Sequence, residues 1–275
     1  MKKGSLISVA LSAAYAGVCM YLYANQKRHM YQAPWSLASD DPPQGLIPSS
    51  GQDPELLGWA DGSPDLDHAV IYFGGVSESV ELRRPGFAAA LDGCARYFVP
   101  YRGFGPQKAS YSTLSESAIK ADALRTFDWV ASRHALVSVI GRSLGSGVAL
   151  HVARHRPVFR LALITPYDSI REVAREKYRV LPAGLLLRDR FESFLDAPHV
   201  SAQTLAITAE HDNVISPRRW AALFKILPCH PLHVHVPGSN HTNIAEDPLT
   251  LRTLSDFMSV TVQDAVFLNV GKSTA

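Results

Sequence analysis

The strongest constraint on the fold is that short apolar runs alternate with segments of helical periodicity along most of the chain. Each run has four or five residues rich in Val, Ile, Leu and aromatic side chains, and several are bounded by Gly or Pro. The runs are 69–73, 96–99, 136–140, 161–164, 205–208 and 232–236. Apolar runs of this kind are typical of strands buried on both faces of a parallel sheet.

Helical segments lie between these runs. In residues 116–132, Ile119, Ala123 and Phe127 recur at helical spacing and define one apolar face. Three more segments are predicted to be helical: 143–154, 217–227 and 248–258. An alternation of strands and helices predicts an α/β fold with a mostly parallel, doubly wound sheet, and excludes separate α and β domains.

One region interrupts this alternation. Residues 168–198 are rich in charged side chains and are predicted to be mostly helical. They contain the apolar run Leu185-Leu186-Leu187. We interpret about 169–198 as an insertion that forms a small helical cap over the sheet. The main domain is then expected over 57–258, with a C-terminal tail over 259–275.

Composition excludes several classes of protein. The 275 residues suit one α/β domain or two small ones, and 47% hydrophobic against 19% charged residues excludes a disordered chain. A formal charge of +2 argues against nucleic acid as the main partner, because phosphate binding needs a basic surface. The three cysteines form no CxxC pair, so no zinc knuckle or redox dithiol is expected. No disulfide is expected either, because Cys94 and Cys229 precede strands that should lie far apart.

The N-terminal segment has a composition of its own. Two lysines precede an uncharged stretch over 4–23, and basic residues follow it. As a helix this stretch would rise about 30 Å, which matches the hydrocarbon core of a bilayer. The pattern predicts one uncleaved transmembrane helix that anchors the protein in a membrane as a single-pass protein, followed by a linker and domain entry over 24–56.

Two alternatives for this segment remain open. Ala14-Tyr15-Ala16 is similar to a signal-peptidase site, and cleavage there would make the protein secreted or periplasmic. A helix buried in the main domain is the other reading. The side of the membrane stays undetermined, because Lys2 and Lys3 nearly balance Lys27 and Arg28.

Chemistry is indicated first by Gly141-Arg142-Ser143-Leu144-Gly145, which has the pattern G-x-S-x-G. The pattern follows a predicted strand directly and opens a predicted helix. This strand–turn–helix context is that of a nucleophile elbow, where small flanking residues allow a turn tight enough to expose the serine hydroxyl. Ser143 is therefore the candidate nucleophile; an incidental serine in a glycine-rich turn is the alternative.

A serine hydroxyl needs a base to remove its proton and an acid to orient that base. Asp212 follows the strand predicted at 205–208, and His241 follows the strand predicted at 232–236. The order Ser, Asp, His, with each residue at a strand end, predicts that the three meet at one edge of the sheet. Glu210 and Asp168 are alternative acids, and His211 is an alternative base.

These residues together resemble the α/β-hydrolase superfamily, and in particular its membrane-anchored serine hydrolases with an N-terminal transmembrane segment. The resemblance covers about 56–258. It rests on Tyr101-Arg102-Gly103-Phe104-Gly105, the Ser143 elbow, residues 165–169, Asp212-x-Val-x-Ser-Pro and the His241 loop. It implies an α/β-hydrolase fold, with Ser143 as nucleophile, Asp212 as acid and His241 as base.

The resemblance also implies an oxyanion hole made by the backbone N–H groups of Val76 and Leu144. Relatives usually carry His-Gly where this chain has Gly74-Gly75, and often a polar residue at the position of Val76. These differences in sequence do not remove the two backbone N–H donors, because a backbone donor needs no particular side chain. Whether this loop forms a complete oxyanion hole is left open by the sequence.

The expected function is that of a serine hydrolase, a carboxylesterase, thioesterase or lipase that cleaves acyl substrates through an acyl-enzyme. Small-molecule or lipid acyl substrates and the membrane are the expected partners, and no cofactor or metal is expected. Two alternatives remain: a catalytically impaired binding module of the same fold, and a peptidase. His151 and His155 are spaced as metal ligands can be, but a third ligand is not evident from the sequence.

Overall fold

The computed structural model describes residues 3–32, 42–51, 53–105, 107 and 112–259, with side chains from Ser8 onward. Its strands are β1 (Gln44–Ile47), β2 (Leu56–Asp61), β3 (His68–Phe73), β4 (Ala95–Phe98), β5 (Leu136–Arg142), β6 (Arg160–Ile164), β7 (Gln203–His211) and β8 (Leu232–Asn240). They form one sheet in the order β1-β2-β4-β3-β5-β6-β7-β8. Only the contacts of β2 with β1 and β4 are antiparallel, so the predicted mostly parallel sheet is confirmed.

The helices are α1 (Lys3–Met30), α2 (Arg84–Ala90), α3 (Glu116–Ala131), α4 (Leu144–His155), α5 (Ile170–Lys177), α6 (Ala183–Leu186), α7 (Ser193–Asp196), α8 (Pro217–Phe224) and α9 (Pro248–Met258). Short 3₁₀ turns cover Val80–Arg83, Ala197–His199 and Ile244–Glu246. The four helices predicted from periodicity correspond to α3, α4, α8 and α9. The alternation of β3 side chains separates two cores, with Ile71 packed among one group of helices and Tyr72 among the other.

β1 and β2 were not predicted as strands. Both lie at or next to the segment expected to be a linker, where Pro, Ser, Gly and Asp suggested irregular backbone. They pair antiparallel at one edge of the sheet. β1 is the edge strand and its first two residues are exposed, so it does not need the continuous apolar run by which the inner strands were predicted.

α5, α6 and α7 lie in the region interpreted as a cap. Arg219 of α8 ties this region to the main body: its guanidinium contacts Asp168 at 3.1 Å, Glu172 at 3.7 Å and Glu176 at 3.1 Å. Arg219 is 5% exposed. A buried arginine needs acidic partners, and three carboxylates supply them here.

α1 lies against the cap by its side chains from Tyr15 onward. The Tyr15 hydroxyl donates to the carbonyl of Val180 at 3.0 Å. Gln26 donates to the carbonyl of Leu186 at 3.3 Å and accepts from the backbone N–H of Arg188 at 2.7 Å. Most α1 side chains from Ser8 on are nevertheless exposed.

The predicted membrane anchor over 4–23 is not supported. Among the described residues, no helix combines the length and the apolarity that crossing a membrane requires. The predicted tail over 259–275 lies outside the described residues except for Ser259, as do 33–41 and Gln52 of the predicted linker.

Candidate active site

Ser143 sits in a strained turn between β5 and α4. Its backbone has φ 51° and ψ −118°, a left-handed conformation that residues with a side chain rarely adopt. The Ser143 N–H donates to the carbonyl of Ile164 on the neighbouring strand at 2.9 Å. The turn is therefore held by the sheet, and strain at such a position is typical of a functional site.

The glycines around Ser143 are required by close packing. A Cβ on Gly145 would overlap the carbonyl oxygen of Phe73 at the end of β3, and a Cβ on Gly141 would overlap the carbonyl oxygen of Gly145. At Gly147, a Cβ would collide with the Tyr167 hydroxyl. The first turn of α4 thus packs directly on the end of β3, as the G-x-S-x-G pattern predicts.

The structure brings Ser143, His241 and Asp212 into one chain of hydrogen bonds. The Ser143 Oγ lies 2.9 Å from His241 Nε2. His241 Nδ1 lies 3.0 Å from Asp212 Oδ1 and 2.9 Å from Oδ2. Asp212 directly follows β7 and His241 directly follows β8, and these strands are neighbours in the sheet. When His241 carries its proton on Nδ1 and donates it to the carboxylate, the unprotonated Nε2 can accept from the serine hydroxyl that it faces.

Asp212 is held by more than the histidine. Its Oδ1 accepts from the backbone N–H groups of Val214 at 2.9 Å and Ile215 at 2.8 Å. Burial raises the pKa of this carboxyl, but the His241 hydrogen bond and these two N–H groups outweigh burial and lower it. The side chain is therefore ionised when the histidine donates to it.

The alternative acids and base lie elsewhere. Glu210 is half exposed and accepts from the backbone N–H of Gly238 at 2.7 Å, and His211 is 3.8 Å from Glu210 on the surface. Asp168 is paired with Arg219. Of the three candidate acids, only Asp212 contacts His241.

The turn expected to form the oxyanion hole lies beside the nucleophile. A Cβ placed on Gly75 would be 3.4 Å from the Cβ of Ser143, and one on Gly74 would be 2.7 Å from the Val80 side chain. The Tyr101 hydroxyl donates to the carbonyl of Gly74 at 2.8 Å. Close packing thus accounts for glycine at positions 74 and 75. The hydrogen bond from the buried Tyr101 holds the backbone of this turn in place.

Sequence reasoning missed two charged residues under this turn. Glu78 and Arg142 are each 6% exposed, and Arg142 Nη1 donates to Glu78 Oε2 at 2.7 Å. In the pattern G-x-S-x-G, Arg142 occupies a variable position, and the pattern assigns it no role. The available signal was its place at the end of an apolar strand, because a buried guanidinium requires an acidic partner.

Asp196 supplies the carboxylate that the two histidines of α4 lacked in the sequence. Single ligand atoms of His151, His155 and Asp196 lie within 4.8 Å of one another. Arg154 Nη1 lies 3.1 Å from one carboxylate oxygen and Lys120 Nζ 3.6 Å from the other. Two cations of the protein thus already neutralise this carboxylate.

No family model matches the chain. Among solved structures, MGS-M2, an alpha/beta hydrolase enzyme from a Medee basin deep-sea metagenome library, aligns with a TM-score of 0.63 at 15% identity, over 77% of this chain and 96% of that one. The protein has the α/β-hydrolase fold.

Two curated relatives are similar in sequence. The uncharacterized protein Rv2307c of Mycobacterium tuberculosis is 29% identical over 248 residues, which cover 86% of each chain. Lysophosphatidylserine lipase ABHD12 of Rattus norvegicus is 29% identical over 194 residues, which cover 58% of this chain and 46% of the lipase. The similarity to the lipase thus involves less than half of that protein.

Gly145→Ala tests the close packing of this α/β-hydrolase elbow on β3. Because the added Cβ meets backbone that cannot rotate away, we expect the free energy of unfolding to fall by about 1–3 kcal/mol. Urea denaturation measures it. Gly93→Ala is the matched control, since a Cβ there meets nothing within 4 Å. Equal stabilities of the two variants would contradict the packing argument.

Acidification tests the buried Glu78 carboxylate. Burial raises its pKa, but Arg142, the Gly75 N–H, the Tyr72 hydroxyl and Arg83 outweigh burial and lower it below the ordinary value of 4.5. The ionised Glu78 therefore stabilises the folded protein above pH 4.5, and this contribution is lost as pH falls through the pKa of Glu78 in the folded state. We expect the stability gap between wild type and Glu78→Gln to narrow on acidification, as measured by urea denaturation at a series of pH values. A constant gap would contradict this.

Proposed function

We propose that this protein is a serine hydrolase that cleaves carboxylic esters or thioesters through an acyl-enzyme. Ser143 is the proposed nucleophile, His241 the base and Asp212 the acid. The observation that carries the proposal is the unbroken chain of contacts from the Ser143 Oγ through His241 to the Asp212 carboxylate, each within 3.0 Å. Geometry of this kind is what serine activation requires.

The proposed reaction begins when Ser143 Oγ attacks the acyl carbonyl carbon and His241 Nε2 takes the hydroxyl proton. Asp212 stabilises the resulting imidazolium and keeps the ring in its orientation. Collapse of the tetrahedral intermediate expels the alcohol or thiol, which receives the proton from His241. A water molecule, deprotonated by the same nitrogen, then releases the acid and restores Ser143.

Charge on the tetrahedral intermediate must be stabilised by donors that point at the oxyanion. We assign this role to the backbone N–H groups of Val76 and Leu144. Leu144 begins α4, where N–H groups point outward and the helix dipole favours negative charge. The Gly75 N–H is already bound to Glu78, which leaves the Val76 N–H as the donor of that turn proposed to face the substrate.

Lipid or other acyl substrates are the proposed class. The similarity to a lysophosphatidylserine lipase supports an ester of a lipid. Large apolar side chains are also exposed on α1 and on the cap that it contacts, including Met20 at 69%, Val180 at 82% and Leu185 at 82%. Apolar surface of this kind favours contact with lipid, so we propose that the protein acts at a lipid surface.

Ser143→Ala tests the nucleophile. We expect it to abolish labelling by a fluorophosphonate probe and to lower kcat for ester hydrolysis by about 10³-fold or more, because the Ser143 hydroxyl is the group that contacts His241 Nε2. Ser201→Ala, a change at an exposed serine, is the matched control and should label like the wild type. A folded wild type that neither labels nor hydrolyses esters would favour the binding-module alternative.

A series of p-nitrophenyl esters tests the substrate class with the full chain. We expect kcat/KM to rise from acetyl to medium and long acyl chains, because each buried methylene adds binding energy of about 0.8 kcal/mol. Michaelis–Menten kinetics along the series measures the trend. A preference for acetyl esters, or for peptide amides over all esters, would contradict lipid-type substrates.

A further inference from the structure

One guanidinium joins three segments of the candidate site. Arg142 directly precedes Ser143, and its side chain lies beneath the oxyanion turn. Nη1 donates to Glu78 Oε2 at 2.7 Å, and Nη2 donates to the carbonyl of His241 at 2.7 Å. The residue before the nucleophile thus contacts the oxyanion segment on one side and the backbone of the base on the other.

Glu78 is the centre of this network. Its Oε2 accepts from the Gly75 N–H at 2.5 Å as well as from Arg142. Its Oε1 accepts from the Tyr72 hydroxyl at 2.7 Å and from Arg83 Nε at 2.9 Å. A carboxylate with four donors in fixed directions has little freedom to rotate, and the turn that begins at Gly75 is fixed with it.

Arg83 adds a second link between the same segments. Besides Glu78, it contacts Glu246, which lies in the 3₁₀ turn that follows the His241 loop. Glu246 is mostly exposed, so this outer link is screened by solvent. The buried link through Arg142 is therefore the one that defines the distance between the oxyanion turn and the base.

We propose that Glu78 and Arg142 are positioning residues that set the Val76 N–H and His241 relative to Ser143 in the transition state. The inference rests on the proposed function. The pair touches neither substrate nor the Ser143 hydroxyl, and acts through the backbones of Gly75 and His241.

The expected signature is a loss of kcat with little change in KM. An oxyanion exists only after attack, so a displaced N–H weakens the transition state while ground-state binding is retained. Misplacement of a catalytic group by about 1 Å lowers rates by about 10²-fold. We expect losses of that order in kcat and in the rate of fluorophosphonate labelling.

Two variants test the pair by different changes. Glu78→Gln keeps the size of the side chain but removes the charge and presents an amide NH2 donor where a carboxylate oxygen accepted. Arg142→Lys keeps the charge, but one ammonium cannot span Glu78 and the His241 carbonyl as the two Nη atoms do. In a double-mutant cycle, the combined kcat loss should be well below the product of the single losses, because both changes disable one network.

Arg84→Lys is the matched control. Arg84 also forms an ion pair with two contacts, to Asp61 at 2.6 and 2.8 Å, but Asp61 lies on β2, three strands away from β5 in the sheet. Its substitution should alter stability without altering kcat. Activities are compared well below the Tm of each variant, with the folded fraction taken from circular dichroism.

The outcomes separate the two proposals. An active wild type whose Glu78→Gln and Arg142→Lys variants keep kcat would overturn the positioning role alone. The positioning role would also be overturned if the loss of kcat in each variant equalled its unfolded fraction. It would likewise be overturned if the kcat loss of the double variant equalled the product of the two single losses. A wild type without hydrolysis or labelling would overturn the proposed function and this inference with it. If Glu78→Gln fails to fold, the split between kcat and KM in Arg142→Lys decides.

Discussion

The close contact between the first turn of α4 and the end of β3 is the constraint on which the candidate site depends. Gly145 packs on the carbonyl of Phe73, so the nucleophile elbow and the turn over 74–76 cannot be placed independently of each other. The sheet then adds the other partners, because β7 and β8 end at the same edge as β5. The strained backbone of Ser143 is tolerated since both neighbouring elements hold it in place.

Buried charge has an organising role beside this contact. A glutamate and an arginine that lie out of water are costly unless they are paired and hydrogen-bonded, and the contacts of Glu78 and Arg142 extend to Gly75 and His241. The buried pair thus gives the site a geometry that apolar packing alone would specify less sharply. The hydrogen bond from the Tyr101 hydroxyl to the carbonyl of Gly74 also holds this turn in place.

Much of the fold and part of the site were predictable from local pattern. Continuous apolar runs identify β3 to β7 because those strands are buried on both faces, and β8 was found from its alternating Val residues although it is an exposed edge strand. β1, at the other edge, carries no such run. Ser143, Asp212 and His241 were found because each follows a strand in a diagnostic order. Glu78 was not, since its role depends on Arg142, 64 residues away in sequence. The predicted anchor over 4–23 is not supported, since no helix among the described residues is long and apolar enough to cross a membrane.

The region interpreted as a cap is held on two sides, and this limits how it can move. On one side, three acidic residues hold Arg219 of α8; on the other, the backbone of 180–188 binds Tyr15 and Gln26 of α1. Any outward swing of the cap must either break the contacts with α1 or carry that helix along. The N-terminal helix and the region interpreted as a cap are therefore expected to move together.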